Sequence, residues 1–367
     1  TPDVLVVVVH HIAADGASMA PLARDLMTAY LARTRGTTPD LPPLAVQYVD
    51  YALWQQDLLG DPTDPESIAA TRLDFWRDTL ADLPEVLPLP TDRPRPPQQS
   101  FRGAVHRFDV DRAVHAGLVD LAAAHNATLF MTVHTALAVL LARLSGTDDI
   151  AIGSPVAGRG HRALDDLVGM FVNTVVLRTP ITGALSFSDH LHRTREVDVA
   201  AFGHTELPFE KLVDALAPTR ATDHSPLFQV VLEFGNTERA HLELPELTVE
   251  ALDADMSVAK FDLQLTVQEN PDGGLNCAFT YATDLFDADT AVAITDRFVR
   301  VLTAVTTDPQ RAIGDLDLLT DLESATHSAA RTDGHSAVSS DTLLDLFRRG
   351  AALDPDAVAV TADDGQL

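Results

Sequence analysis

Residues 4–16 read VLVVVVHHIAADG, and this stretch decides how the rest of the chain is interpreted. The continuous apolar run Val4–Val9 predicts a strand that is buried on both faces. His10, His11 and Asp15 follow this run directly, and polar groups beside a dry core are costly unless they are paired or take part in chemistry. The segment therefore predicts a polar site at the end of a buried strand.

The groups in this segment suit proton transfer. An imidazole titrates near neutral pH, so His11 is a candidate base or proton shuttle. Gly16 lets the backbone approach a ligand and offer its N–H to a developing oxyanion. A helix predicted over residues 18–33, with Ser18 as its cap, would point its positive end at the same place. A histidine pair that only satisfies core hydrogen bonds is the structural alternative, and a metal site is disfavoured because no third ligand has a suitable spacing.

The overall composition limits the possible partners. The chain has 367 residues, of which 46% are hydrophobic, enough for two lobes or for one large domain with a tail. Its net charge of −28 argues against nucleic acid or an anionic membrane as partner. The sequence lacks a membrane-length apolar stretch and a signal-peptide pattern, which favours a cytoplasmic location. Cys277 is the only cysteine and alternates with apolar residues, so we predict a buried strand position and no internal disulfide.

Hydrophobic spacing predicts most of the remaining elements. The proline-rich residues 84–99 predict an extended connector, and 270–274 predict a turn between two alternating strands. Strands and helices mix without a regular βαβ rhythm, which favours an α/β sandwich over a doubly wound sheet. Helices are predicted near 46–56, 73–83, 112–125, 129–144, 289–305 and 342–353, and strands near 150–156, 171–177, 261–268, 275–281 and 357–361.

Five segments resemble, in order, the motifs of condensation domains of nonribosomal peptide synthetases. They are HHIAADGAS at 10–18, YVDYALWQ at 48–55, VGMFVNT at 168–174 with Arg178, HTELPFE at 204–210 and HSPLFQV at 224–230. The tail from residue 343 resembles the opening of an adenylation domain. Two family motifs that normally precede the histidine pair are absent. We therefore expect an N-terminally truncated domain that is inactive as this chain alone.

The resemblance implies an α/β fold of the chloramphenicol-acetyltransferase-like type, a two-lobed pseudo-dimer whose first lobe is incomplete here. Residues 1–45 would be the remainder of the N-terminal lobe and 46–320 the C-terminal lobe. A linker over 321–340 would lead to the start of an adenylation domain at 341–367.

The resemblance also implies a reaction. Condensation domains join a donor acyl or peptidyl thioester to the amine of an acceptor aminoacyl thioester. Both substrates arrive on phosphopantetheine arms, so no cofactor or metal is bound directly. The implied partners are the upstream and downstream peptidyl carrier domains and the adjoining adenylation domain, with no nucleic acid and no membrane.

The family motif assigns roles around the histidine pair. His11 matches the active-site histidine, either as base or as a group that positions the acceptor amine. Gly16 is the second residue assigned to catalysis, through its N–H. His10 and Asp15 would support the loop. Arg178 is one candidate partner for Asp15, and an arginine from the missing segment is the other.

Three further residues are assigned to the substrate tunnel: Ser18, Trp54 and Asn173. Two of them carry structural alternatives. Trp54 on a helix can equally belong to a core, and Asn173 in a strand can equally satisfy backbone groups.

Other functions remain open at this point. A coenzyme-A-dependent acyltransferase shares the His-x-x-x-Asp-Gly pattern, but the doubled histidine and the four further motifs disfavour it. An epimerisation domain would not precede an adenylation domain directly. A non-catalytic domain that docks carriers or other partners is a third possibility, disfavoured because the histidine and the Asp-Gly pair are both intact.

Overall fold

The computed structural model describes residues 4–216, 221–235 and 258–319, with short pieces at 243–244, 247–248, 323–326 and several positions from 342 onward. Residues 1–317 form one compact unit and residues 318–367 form another. The helices of the first unit are α1 (Met19–Thr34), α2 (Tyr48–Leu59), α3 (Ile68–Thr79), α4 (Arg112–Ala124), α5 (Leu129–Ser145), α6 (Phe187–Phe202), α7 (Phe209–Leu216) and α8 (Ala288–Thr307).

A mixed six-stranded sheet forms the centre of the first unit. Its strand order is β1-β8-β7-β4-β2-β3. Strand β4 runs parallel to both β7 and β2, whereas the outer pairings are antiparallel. The strands are β1 (Gly103–Val110), β2 (Asp149–Val156), β3 (Asn173–Pro180), β4 (Val230–Gly235), β5 (Glu243–Leu244), β6 (Leu247–Thr248), β7 (Leu263–Glu269) and β8 (Leu275–Ala282), of which β5 and β6 pair only with each other.

Four helices pack on one another, and three of them contact strands of the sheet. Helix α5 contacts β2, α6 contacts β3, and α8 contacts β1 and β8, while α4 packs on α5 and α8. The stretch Met131–Leu141 of α5 is buried all round, as expected for a helix with apolar residues on every side. Among the described residues, no single helix is long and apolar enough to span a membrane, and α4 with α5 reaches that length only as a pair bent by 105°.

A second packing region joins α3 and α7. These helices contact each other, and α7 also contacts β3. Their core includes Leu73, Trp76, Leu212 and Phe228. A Cβ on Gly153 of β2 would lie 2.2 Å from the Phe228 ring, so glycine is required where this ring crosses the strand.

Most predicted elements are confirmed. The helices predicted at 112–125, 129–144 and 289–305 match α4, α5 and α8 within two residues, and Thr128 caps α5 by accepting a hydrogen bond from the Met131 N–H. The 261–268 and 275–281 strands match β7 and β8, with Cys277 buried. Burial, with a smaller contribution from Asp109, raises the pKa of the Cys277 thiol to about 12.

Several predictions are wrong in position or type. Val4–Val9 form no strand, and their side chains are 40% to 90% exposed, because none of the described strands pairs with them. The strand predicted from Phe171 begins at Asn173. The helix predicted at 73–83 is α3, which begins at Ile68 and ends at Thr79.

Elements without a counterpart among the predictions include β1, α6 and the short strands β5 and β6. In the second unit, residues 323–326 are helical within the predicted linker, and strands β9 (Thr361–Ala362) and β10 (Gly365–Gln366) pair with each other. Most of the predicted 342–353 helix and 357–361 strand lies outside the described residues. The divisions at 45, 320 and 340 stay predictions.

Candidate active site

The histidine segment folds into two short turns. His11–Ala13 and Gly16–Ser18 are single 3₁₀ turns. The first turn is capped by His10, whose Nδ1 accepts a hydrogen bond from the Ile12 N–H at 3.1 Å. Local polar contacts, rather than a strand ladder, therefore shape this loop, and His10 holds a structural contact in it.

His11 is exposed, and one of its two ring nitrogens contacts the backbone. Nδ1 lies 3.1 Å from the carbonyl oxygen of Ala14. A carbonyl can only accept, so Nδ1 carries the proton in this contact, and Nε2 of the neutral ring keeps its lone pair. Nε2 makes no hydrogen bond within the part of the chain that the structure describes. It is therefore the ring nitrogen that is open to other contacts.

Asp15 is buried beneath this loop, and both of its oxygens are bonded. Oδ1 accepts hydrogen bonds from the Ser18 N–H at 2.9 Å, the Ser18 hydroxyl at 2.7 Å and Arg159 Nη2 at 3.0 Å, and Oδ2 accepts one from the Phe171 N–H at 3.0 Å. Burial alone would raise the pKa of Asp15. The bonds from Ser18, Arg159 and Phe171 outweigh burial and hold that pKa below its ordinary value. Asp15 is thus a fixed anion rather than a base.

Ser18 completes the anchor and does not face an open tunnel. Its side chain is wholly buried. Its hydroxyl oxygen accepts from the Gly169 N–H at 3.1 Å and from Arg159 Nη2 at 2.9 Å, while its proton is shared between Asp15 and the Gly169 carbonyl. The prediction that Ser18 lines the substrate tunnel is therefore wrong, because its side chain is buried and fully bonded. Ser18 stands directly before α1, at the predicted cap position, but its side chain makes no cap hydrogen bond to that helix.

Arg159 is the partner of Asp15, a pairing that none of the sequence motifs indicated. Its Nη1 donates to the carbonyls of Leu164 and Leu167, and its guanidinium carbon lies 4.1 Å from the centre of the Phe171 ring. The available signal was an arginine directly after Gly158. That glycine has φ of +64°, and a Cβ on it would lie 1.9 Å from the Phe171 carbonyl oxygen, so the turn before Arg159 requires glycine.

Arg178 does not reach Asp15, so the pairing proposed for it is wrong. It binds Asp149 with two hydrogen bonds, at 2.8 Å from Nε and 2.7 Å from Nη2. Its Nη1 donates to the carbonyls of Thr79 and Ala81 at the end of α3. Arg178 therefore fastens α3 to the sheet.

The YVDYALWQ and VGMFVNT segments meet at the same place. The Tyr48 hydroxyl donates to the Met170 carbonyl at 2.8 Å, and the Tyr48 and Phe171 rings pack edge to face at 5.2 Å. A Cβ on Gly169 would lie 2.2 Å from the Tyr48 ring, so this position also needs glycine. Trp54 lies farther along α2, against the Tyr51 ring at 5.9 Å.

The remaining predicted site residues differ in their exposure and in their hydrogen bonds. Trp54 is 56% exposed, which excludes the core alternative, and its tunnel role stays a prediction. Asn173 is half-buried, and its amide is fully used by backbone groups, as the structural alternative expected. Gly16 is exposed, and a Cβ on it would meet no atom within 4 Å, so its catalytic role also stays a prediction.

The fold is of the chloramphenicol-acetyltransferase-like class, with a mixed sheet and its helices. The condensation-domain family model matches residues 1–326, and the chain belongs to that family. Condensation domains of nonribosomal peptide synthetases are acyltransferases that form amide bonds between carrier-bound substrates. Family and fold class are thus confirmed. The synthetase context implies carrier and adenylation domains, and phosphopantetheine on the carriers.

Individual relatives agree with this membership. A dimodular nonribosomal peptide synthase of Bacillus subtilis (strain 168) is 46% identical over 99% of this chain and 16% of its own length. The crystal structure of the X-domain from teicoplanin biosynthesis is 35% identical, with a TM-score of 0.80, and the match covers 85% of this chain and 71% of that one. A four-domain nonribosomal peptide synthetase bound to AMP and glycine is 27% identical, with a TM-score of 0.75 over 86% of this chain and 24% of that one. The chain spans 5% to 16% of the length of the first curated relatives.

Proposed function

We propose that this chain forms an amide bond between two carrier-bound thioesters, and that His11 handles the proton of the attacking amine. The nitrogen of the acceptor aminoacyl thioester attacks the carbonyl carbon of the donor thioester. The C–N bond forms, the C–S bond breaks, and the donor's phosphopantetheine thiol leaves. His11 Nε2 takes the amine proton and returns it to the departing sulfur, so no proton is gained or lost.

The state of the His11 ring carries this proposal. The contact from Nδ1 to the Ala14 carbonyl leaves Nε2 as the acceptor. Ala14 is followed directly by Asp15, which Arg159 and the Phe171 N–H hold in place, so the loop under the ring is fixed. A base in a preset position and tautomer is what general base catalysis requires.

Two exposed residues would contact the substrates. The open space at the Gly16 Cα would let the donor carbonyl approach the Gly16 N–H as negative charge develops on its oxygen. The exposed Trp54 ring would form part of the wall along which an acceptor arm runs. The upstream and downstream peptidyl carrier domains would supply the two arms in the cytoplasm, with an adjoining adenylation domain loading the acceptor.

The test uses the longest polypeptide that carries this chain, supplied with loaded donor and acceptor carriers. Dipeptidyl thioester on the acceptor carrier is followed by mass spectrometry. We expect His11→Ala to lower the transfer rate about a hundredfold or more, since general base catalysis contributes about 10²–10⁴-fold. His10→Asn is the matched control, because an asparagine oxygen can still accept from the Ile12 N–H. It should stay within about threefold of the parent.

A second candidate function is non-catalytic docking. The likeness to the X-domain favours it, since another solved structure holds that X-domain in complex with OxyB. If His11→Ala makes dipeptidyl thioester as fast as the parent, or the parent makes none, docking becomes the better explanation. Retention of an ordered imidazole with a free Nε2 is the feature that a docking surface alone does not need.

A further inference from the structure

We propose that Asn173 is a positioning residue for His11. It would act through the loop of residues 204–209, which leads into the Pro-Phe-Glu sequence at 208–210 and which we call the PFE loop. This inference rests on the proposed function. Asn173 Nδ2 donates to the carbonyls of Thr205 at 2.8 Å and Leu207 at 2.7 Å. Asn173 Oδ1 accepts from the N–H groups of Thr174 and Phe209, both at 2.9 Å. One amide therefore joins the first residue of β3 to three points of the PFE loop.

The four backbone groups bonded to Asn173 explain why this position carries a side-chain amide. Two carbonyl oxygens need donors and two N–H groups need acceptors at one spot, and only a primary amide offers both from one short side chain. A carboxylate would face the Thr205 and Leu207 carbonyls with no proton to donate. An alanine would leave all four backbone groups without this partner.

A short hydrogen-bonded path runs from Asn173 to the reactive ring. Two residues before Asn173, the Phe171 N–H donates to Asp15 Oδ2. Asp15 adjoins Ala14, whose carbonyl accepts from His11 Nδ1. The position of the first residue of β3 therefore bears on the position of the His11 ring through two hydrogen bonds and the short chain segments 171–173 and 14–15.

The PFE loop is itself held from the far side by α3. Arg72 binds Glu206 at 3.0 Å, and the Trp76 indole N–H donates to the His204 carbonyl at 3.2 Å. The Phe75 and His204 rings stack with their centres 3.6 Å apart. The loop is thus held in place by α3, and Asn173 fastens the start of β3 to it, two residues after Phe171.

Gln229 offers a matched control elsewhere in the same unit. It is buried, its Nε2 donates to the carbonyls of Glu85 and Ser225 at 3.1 and 3.0 Å, and its Oε1 accepts from the Leu87 N–H at 2.8 Å. Like Asn173, it is an amide that fastens backbone segments, but none of its bonded partners belongs to the His11 loop. Asn173→Asp and Gln229→Glu each replace the amide by an acid that cannot donate to two carbonyls.

The experiment compares these two variants in the longest polypeptide that carries the chain. Asn173→Asp should lower kcat about tenfold or more and leave KM within about threefold, because small misplacement of a catalytic group is costly in rate. Gln229→Glu should lose similar thermal stability and keep kcat within about threefold. Hydrogen exchange measured by mass spectrometry should speed up at residues 10–18 in Asn173→Asp and not in Gln229→Glu.

Each outcome decides the inference separately from the proposed function. Equal kcat losses in the two variants, or faster exchange confined to 168–176 and 203–210, would show that Asn173 has only a local structural role. An inactive parent would contradict the proposed function, and the exchange at 10–18 would still test the positioning path. If Asn173→Asp fails to fold, Glu206→Gln weakens the loop from its exposed side and should lower kcat in the same direction by a smaller factor, about twofold to fivefold. An unchanged kcat in Glu206→Gln would then overturn the inference.

Discussion

Two buried carboxylates of the first unit are paired with basic side chains in different ways. Asp15 and Arg159 have side chains that are 3% and 7% exposed, and those of His134 and Asp198 are wholly buried. Both Asp15 oxygens accept hydrogen bonds, from the backbone as well as from Ser18 and Arg159. Within the described residues, Asp198 accepts a hydrogen bond only from the His134 ring, and His134 Nε2 has no hydrogen-bond partner.

The difference shows what each pair does for the fold. The Asp15 pair holds an otherwise exposed loop against residues 159–171, and no apolar packing would replace its bonds to backbone N–H groups. The His134 pair links α5 and α6, which contact each other. A buried polar pair whose remaining polar atoms are unsatisfied contributes little beyond what apolar side chains of equal volume would provide.

Removal of Arg159 should have the largest effect on stability. Arg159→Met leaves Asp15 as a buried charge without its cation, and such losses cost about 3–5 kcal/mol. We expect a fall of that size in the free energy of unfolding, measured by urea denaturation. A change below about 1 kcal/mol would mean that the loop opens to water without cost, and the comparison of the two pairs would fail.

Replacement of each pair by apolar residues sharpens the contrast. His134→Leu with Asp198→Leu should be neutral or stabilising by about 1–4 kcal/mol, because the pair is dry and only partly satisfied. Asp15→Leu with Arg159→Met should destabilise, because the Ser18 and Phe171 N–H groups lose their acceptor. The two double variants are compared in the same denaturation experiment. If both double variants change the free energy of unfolding in the same direction, the Asp15–Arg159 and His134–Asp198 pairs do not differ in the way proposed.

The sequence was informative where local patterns decide the structure. Helices α4, α5 and α8 and the β7–β8 hairpin follow from periodicity and caps, and the loop residues His10, His11, Asp15 and Gly16 stand within one short segment. Arg159 lies 144 residues from Asp15, so no spacing rule could join them.

Two of the wrong predictions, the strand at Val4–Val9 and the pairing of Arg178 with Asp15, have the same physical origin. Val4–Val9 have the composition of a buried strand, but a strand also needs a neighbour to complete its ladder, and none of the described strands provides one. Arg178 stands close to the VGMFVNT motif, but its place in the sheet brings it to Asp149 instead of Asp15. Both depend on tertiary partners, which composition and spacing do not specify.

The backbone of Gly169 belongs to the Asp15 anchor, so crowding there should loosen that pair alone. A Cβ would overlap the Tyr48 ring at 2.2 Å, and Gly169→Ala should cost about 1–3 kcal/mol, as overpacking typically does. Gly16→Ala is the control, because its Cβ would meet no atom within 4 Å. It should change the free energy of unfolding by less than about 0.5 kcal/mol. Equal losses in the two variants would contradict the close packing of Gly169 on the Tyr48 ring.

The smallest expected effect is the pH dependence of the Asp15 pair. The pKa of Asp15 is lowered in the folded protein, because its hydrogen bonds outweigh burial. Its ionic contribution is therefore complete above the unfolded pKa of about 3.9 and is lost as the pH falls through the lower folded value. The gap in unfolding free energy between the parent and Asp15→Asn should be constant from about pH 5 to 8 and narrow below about pH 4. Protonated Asp15 still accepts from the Ser18 and Phe171 N–H groups, which keeps the effect small. A gap that widens on acidification would show that the carboxylate is not stabilised by Arg159.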